Sequence, residues 1–194
     1  FESKYNPPKF HSLIVAPFHM RNFFIRLINN EIKHAKAGRE AWCIIKLNNL
    51  VDDKIVKKLY QASQAGVKVR IICRGTCTMI PGIKGMSDNV EVISIVDRFL
   101  EHSRVLVFNN GGHEKYYISS ADWMVRNLDN RIEVACPVND KGIQQELKTM
   151  LLIQLKDNTK ARIVNHEQAN FYKDREKLPK IRSQVEIYNY LKGI

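Results

Sequence analysis

The chain has 194 residues, enough for one or two compact domains, and 44% of them are hydrophobic, which excludes wholesale disorder. Lys and Arg total 31 against 20 Asp and Glu, a net charge of +11. That surplus favours polyanionic partners, among them nucleic acid, nucleotides, anionic lipid and phosphate chains, without choosing between them.

Pro7 and Pro8 mark a leading linker. A short strand follows over Ser12 to Ala16. Residues 20 to 37 carry Phe24, Leu27, Ile28, Ile32 and Ala35 at helical spacing, and Gly38 closes the helix. Ala41 to Lys46 reads as a buried strand. Asp52 or Asp53 caps a second helix whose inner side holds Ile55, Val56, Leu59 and Ala62, with Gly66 at its end. Val67 to Cys73 is a further apolar strand. Strand, helix, strand, helix, strand in this order predicts a parallel βαβαβ core.

The glycines and proline of residues 74 to 88 predict a loop, and Val90 to Ile95 a strand. Arg104 to Phe108 and Lys115 to Ser119 flank Asn109-Asn110-Gly111-Gly112, a hairpin signal. Arg131 to Cys136 is a strand ended by Pro137. Residues 140 to 155 and 180 to 192 read as amphipathic helices, and 156 to 179 as an irregular charged cover. No apolar run reaches the roughly 18 residues of a membrane span, and no signal peptide is present. The chain begins at Phe1 without an initiator Met and reads as a piece of a longer polypeptide.

Four cysteines are present, at 43, 73, 77 and 136. Cys73 and Cys77 are spaced CxxxC, but no second pair or histidine spacing completes a zinc site, so the four read as core thiols in a reducing compartment.

Several residues are candidates for phosphate chemistry. In His102-Ser103-Arg104, strand alternation places the imidazole and the guanidinium on one side. Together they could grip one phosphoryl group. Taken alone, the tripeptide is more simply a surface histidine beside a surface arginine. Ser119-Ser120-Ala121-Asp122, followed by Arg126-Asn127 and Arg131-Ile132-Glu133, offers hydroxyls and backbone N–H groups to an anion, or is a polar turn before an ordinary strand. Arg74 and Lys46 both stand at the carboxyl ends of predicted strands, where open sheets bind ligands; each is equally readable as a surface cation. Of the remaining histidines only His19, at a helix start, is placed to touch a ligand. His11 and His34 read as surface positions, and His113 and His166 as solvated.

Two long phrases, Ile95-Val96-Asp97-Arg98-Phe99-Leu100-Glu101-His102-Ser103-Arg104 and Tyr117 through Val134, resemble signature stretches of the last domain of bacterial polyphosphate kinases. Ile45 to Leu50, Val69 to Gly75 and Ser87-Asp88-Asn89 are similar to the same family, in the same order. The resemblance covers nearly the whole chain. It implies one C-terminal domain over residues 1–194. It also implies a phospholipase D-like α/β fold, with a mixed, largely parallel sheet flanked by helices.

The resemblance further implies reversible transfer of the terminal phosphate of ATP to polyphosphate. The phosphohistidine of that reaction is expected in a preceding domain. His102 matches the family's second histidine, which acts as an acid or base or steadies the transferring phosphate. Arg74 matches its ATP-contacting arginine, and Arg131 a tunnel-lining arginine. Lys46 and Arg104 join them as expected phosphate-binding residues. Magnesium is expected, with ligands mostly upstream. Expected partners are ATP, ADP, polyphosphate, the upstream domains and further copies of the chain. The expected location is the cytoplasm, peripheral to the inner membrane. The phospholipase D pattern is broken in two places: Arg104 replaces the Lys of HxK, and Asn109 stands where its later Asp belongs. These departures argue against phosphodiester hydrolysis. A phospholipase D-like phosphodiesterase and a non-catalytic polyanion-binding module are the competing readings.

Overall fold

A computed structural model describes residues 10–175 and 178–193. The expected Pro7-Pro8 linker lies outside the described residues. The elements are β1 (Ile14–Ala16), α1 (Met20–Lys36), β2 (Trp42–Leu47), α2 (Asp53–Gln64), β3 (Lys68–Cys73), β4 (Val90–Ile95), β5 (Arg104–Phe108) and β6 (Lys115–Ser119). They continue with α3 (Val125–Asn130), β7 (Glu133–Val138), α4 (Lys141–Lys156), β8 (Ala161–Ile163) and α5 (Ser183–Lys192). A single 3-10 turn, Asn110–Gly112, sits inside the β5–β6 connection.

Eight strands form one sheet in the order β1-β7-β6-β5-β2-β3-β4-β8. The sheet is mixed, as expected, but its parallel part is smaller than the sequence suggested. Only β2 with β3 and β3 with β4 run parallel; the other pairings are antiparallel. β1 does not join a βαβαβ core. It pairs at the far edge with β7, Ala16 opposite Glu133. Periodicity identifies a strand but not its neighbour, and a three-residue strand carries little register information of its own. The expected irregular cover contains β8, which pairs antiparallel with β4. β7 runs through Pro137 instead of stopping there. β1 covers only Glu133 to Ala135, so the missing N–H of Pro137 lies beyond the end of β1 and costs no ladder bond.

Alternation gives the sheet two apolar faces. Cys43, Ile45, Leu47, Val69, Ile71, Leu106 and Phe108 face α1 and α2, meeting Phe24, Leu27, Ile28, Ile55 and Leu59. Trp42, Ile44, Ile72, Ile93, Val105 and Val107 face the other way, onto Leu151 and Leu155 of α4. Phe24 is fully buried, with its ring centroid 6.5 Å from Phe108, 5.8 Å from Tyr117 and 5.6 Å from Trp123. This aromatic cluster ties α1 to β5, to β6 and to the loop after β6.

Asp52 caps α2 by accepting from Ile55 N at 3.0 Å. Asp157, at the end of α4, is wholly buried. Its Oδ1 accepts from the N–H groups of Thr159, Lys160 and Ala161, and its Oδ2 from Ser183 N at 2.7 Å. One carboxylate thus joins the end of α4, β8 and the start of α5. Among the described residues, no helix is long and apolar enough to cross a membrane.

Candidate functional site

The register of the sheet places every candidate at one end of it. β2, β3 and β4 finish there, β5 and β7 begin there, and β6 finishes opposite Arg104. Lys46 and Arg74 therefore share a rim with His102, Arg104, Ser119 to Asp122 and Arg131. Arg74 follows β3 and His102 precedes β5, with β2 between them. Two strand spacings separate those strand ends, about 10 Å at the usual 4.8 Å each.

Asp122 is the hub of the rim. Its Oδ1 accepts from Asn48 N at 2.9 Å and from Arg104 Nε at 3.1 Å. Its Oδ2 accepts from Asn49 Nδ2 at 3.0 Å and Arg104 Nη2 at 3.3 Å. Burial pushes the Asp122 carboxyl up, yet these bonds outweigh it and hold the group below the ordinary range. Asn48, itself buried, passes the order on. Its Oδ1 accepts from Arg74 Nε at 3.0 Å, and its backbone O accepts from Gly75 N at 2.7 Å. Asn49 Oδ1 accepts from Thr76 N at 3.0 Å. Gly75 is required here by close approach: a Cβ would lie 2.8 Å from Asn49 Oδ1 and 2.9 Å from Asn48 O. Arg74 is thus half-buried and fixed through Nε.

The other cations fare differently. Arg104 has its fork closed on Asp122, so it is not a free phosphate clamp. Lys46 is buried with its Nζ 2.8 Å from Glu101 Oε2, so its charge is already compensated. Both ion pairs tie the rim together. They also lie on opposite faces of the sheet, since Lys46 alternates with Ile44 and Arg104 with Leu106. Arg131 is exposed just beyond α3.

His102 is exposed and stands outside the strand, because β5 begins only at Arg104. The alternation expected to pair its imidazole with Arg104 therefore does not apply; Arg104 Nη1 instead donates to the backbone O of His102 at 3.2 Å. His102 lines a cavity of about 420 Å³ with Lys46, Glu101, Ser103, Leu147 and Gln154. Its segment is held at several points. Glu101 accepts from Lys46, Gln154 and Gln184, while Gln184 also brackets the backbone N and O of Phe99. Arg182 forks onto Asp97 at 2.8 and 2.6 Å.

Sequence reasoning missed Glu101, Asn48 and the central place of Asp122. The Asp122 partners lie 18 and 74 positions away in the chain, and no local pattern encodes such a contact. Glu133 forms a second polar centre, accepting from Asn127 Nδ2 at 2.6 Å and from Ser120 Oγ. His34 proves half-buried, packed under the glycine turn at Gly111. Among the described residues, no three His, Cys, Asp or Glu side chains group as a metal ion would need.

Comparison with known proteins agrees with this fold. The crystal structure of polyphosphate kinase from Porphyromonas gingivalis superposes with a TM-score of 0.93 at 43% identity, over 97% of this chain and 29% of that one. The polyphosphate kinase of Vibrio parahaemolyticus is 52% identical over 193 residues, all of this chain and 28% of that protein. The chain thus spans under a third of the length of these relatives. Nuc, a phospholipase D family member from Salmonella typhimurium, shares the fold at a TM-score of 0.55 and 11% identity, over 79% of this chain and 96% of its own. Residues 13–184 match the model of polyphosphate kinase C-terminal domain 2, and the chain belongs to that family.

Proposed function

We propose that this chain forms one wall of a phosphoryl-transfer site, in a longer enzyme that moves the terminal phosphate of ATP to polyphosphate and back. In the forward direction ATP becomes ADP and the chain grows by one phosphate. The observation that carries this reading is the shared rim. Arg74, locked through Nε onto Asn48, and His102, on a braced segment, stand at the ends of strands separated by one neighbour. Phosphoryl transfer depends on positioning and charge neutralisation, which these two groups supply. Arg74 takes the nucleotide phosphates with its terminal nitrogens, Nε being held by Asn48. His102 donates or accepts a proton at the transferring phosphate, or steadies its charge. Arg131 extends the basic track along the same rim, towards polyphosphate. The histidine that carries the phosphoryl group belongs to the rest of the polypeptide.

Magnesium finds no fit among these side chains. The rim carboxylates of Asp122 and Glu101 are already bonded to Arg104 and Lys46.

The test is His102→Ala in the longer polypeptide. A loss of roughly 100-fold in ATP-dependent polyphosphate synthesis is the expected result for an acid–base group. Near-normal synthesis would overturn the role. Cleavage of a simple phosphodiester by this chain alone would favour the phosphodiesterase reading instead. Equal binding of DNA, heparin and polyphosphate, untouched by Arg74→Ala, would favour a general polyanion module.

A further inference from the structure

Arg74 is tethered by a neutral atom, whereas the other cations bound near it are tethered by carboxylates. Arg104 closes on Asp122 and Lys46 on Glu101. Elsewhere Arg21 pairs with Asp52 and Asp129, and Arg182 with Asp97. Among the described residues Arg74 forms no ion pair; its Nε donates to the amide Oδ1 of Asn48 at 3.0 Å. Asn48 is 2% exposed. Its backbone N donates to Asp122 Oδ1 at 2.9 Å, and its backbone O accepts from Gly75 N at 2.7 Å and from Cys73 Sγ at 3.3 Å. Its Nδ2 is buried and finds no acceptor among the described residues. The one side-chain hydrogen bond of Asn48 among those residues is therefore the bond to Arg74. A carboxylate of the same shape would hold Nε more strongly, but it would also cancel the charge. An amide oxygen fixes the guanidinium and leaves its positive charge for a phosphate.

We infer that Asn48 is a positioning residue for nucleotide binding, an uncharged tether that orients Arg74 without neutralising it. The inference rests on the proposed role of Arg74. Asn48 also keeps the two charges of the rim on separate atoms. Its backbone N takes Asp122, which Arg104 neutralises, and its side-chain oxygen takes Arg74. The charged and titratable groups bonded to Asn48 are thus Asp122, Arg74 and the Cys73 thiol.

Two variants of the longer polypeptide, Asn48→Asp and Asn48→Leu, separate charge from tether. ATP affinity is read by calorimetric titration at several salt concentrations, beside a thermal melt. Asn48→Asp keeps an acceptor for Nε but adds a negative charge. ATP affinity should fall roughly tenfold, the worth of one hydrogen bond to a charged group. The slope of log K against log salt should shrink by about one, because the Arg74 charge is spent inside the protein. Asn48→Leu removes the tether and leaves the charge. Its ATP affinity should fall only about threefold, the cost of ordering one loosened side chain on binding, and its salt slope should stay at the parental value. A residue that served packing alone would make ATP affinity follow melting temperature across both variants, and the salt slope would not move. That pattern would overturn the inference, as would parental ATP affinity in Asn48→Asp. Should Asn48→Asp fail to fold, Asn48→Leu decides by itself: a reduced slope there refutes the tether, and a parental slope with weakened affinity supports it. Arg74→Ala tells the two failures apart. If it weakens ATP binding while Asn48→Asp does not, the anchor stands and the neutral tether falls; if neither weakens it, the anchor falls as well.

Discussion

Arg104 closes a two-point ion pair on Asp122, Nε to Oδ1 at 3.1 Å and Nη2 to Oδ2 at 3.3 Å. The fork occupies the position where the phospholipase D pattern has a lysine, and it points at a protein carboxylate. Arg104→Ala strands a buried carboxylate, and urea denaturation should show a loss of about 3–5 kcal/mol. Arg104→Lys keeps the charge but offers one donor in place of two. Its expected cost is about 1.5–3 kcal/mol, the worth of one hydrogen bond to a charged group. Equal stability of Arg104→Lys and the parent would mean that the fork is not in use.

The same carboxylate sets an acid limit. Its folded pKa lies below the ordinary value, so the unfolded chain binds the proton first as pH falls. The stability it contributes is complete above the unfolded carboxylate value of about 3.9 and is lost as pH drops through the folded value. Asp157 is depressed as well: burial raises it, but the bonds from Ser183, Thr159 and Lys160 prevail. Stability curves of Asp122→Asn and Asp157→Asn should therefore both be flatter below about pH 4 than that of the parent. An unchanged acid slope in both variants would contradict the assignment.

What the sequence revealed tracks how local each signal is. The bounds of β5 and β6 were legible because short apolar runs flank Asn109 to Gly112, whose positive backbone angles at Asn110, Gly111 and Gly112 suit the residues found there. α1 and α2 were legible from 3.6-residue spacing and the Asp52 cap. β8 was not, because three residues paired at an edge show no period. The strand order was not legible either. The candidate cations were found because charge at a strand end is a local feature. Their fates were hidden, because Lys46 meets Glu101 across 55 positions and Arg104 meets Asp122 across 18.

Glu101, the neighbour of His102, accepts hydrogen bonds from Lys46, Gln154 and Gln184. Lys46, 5% exposed, depends on Glu101 for charge balance. Glu101→Ala should cost about 3–5 kcal/mol through the unpaired lysine. It should lower kcat for polyphosphate synthesis more than it raises KM for ATP. Glu101→Gln with Lys46→Met replaces the buried pair by neutral groups and should regain most of the stability, since such exchanges are often neutral. Activity should not return with it, because the bracing of the His102 segment is still incomplete. Full recovery of kcat in that double variant would show that Glu101 acts on stability alone.

Gly75→Ala tests the anchor turn. Its Cβ would meet Asn49 Oδ1 at 2.8 Å and the unyielding backbone O of Asn48 at 2.9 Å. The expected cost is about 1–3 kcal/mol, in line with other overpacked sites. ATP affinity should fall with it, because Arg74 is the preceding residue. Calorimetric titration with ATP and a thermal melt separate the two effects. A destabilised protein with normal ATP affinity would detach the turn from the nucleotide.

Salt separates the track from the anchor. With a net charge of +11, the chain should bind polyphosphate with an affinity that falls linearly in a plot of log K against log salt. Each cation that contacts the polyanion adds about one to the slope. Arg131→Ala removes a cation from the proposed track, so the slope should shrink by about one while ATP affinity holds. Arg74→Ala should lower ATP affinity in addition. Lys46→Met should leave the slope unchanged, since its charge is spent on Glu101. A slope reduced by Lys46→Met as much as by Arg131→Ala would mean that the Lys46–Glu101 pair opens when polyphosphate binds, and that the lysine is a ligand after all.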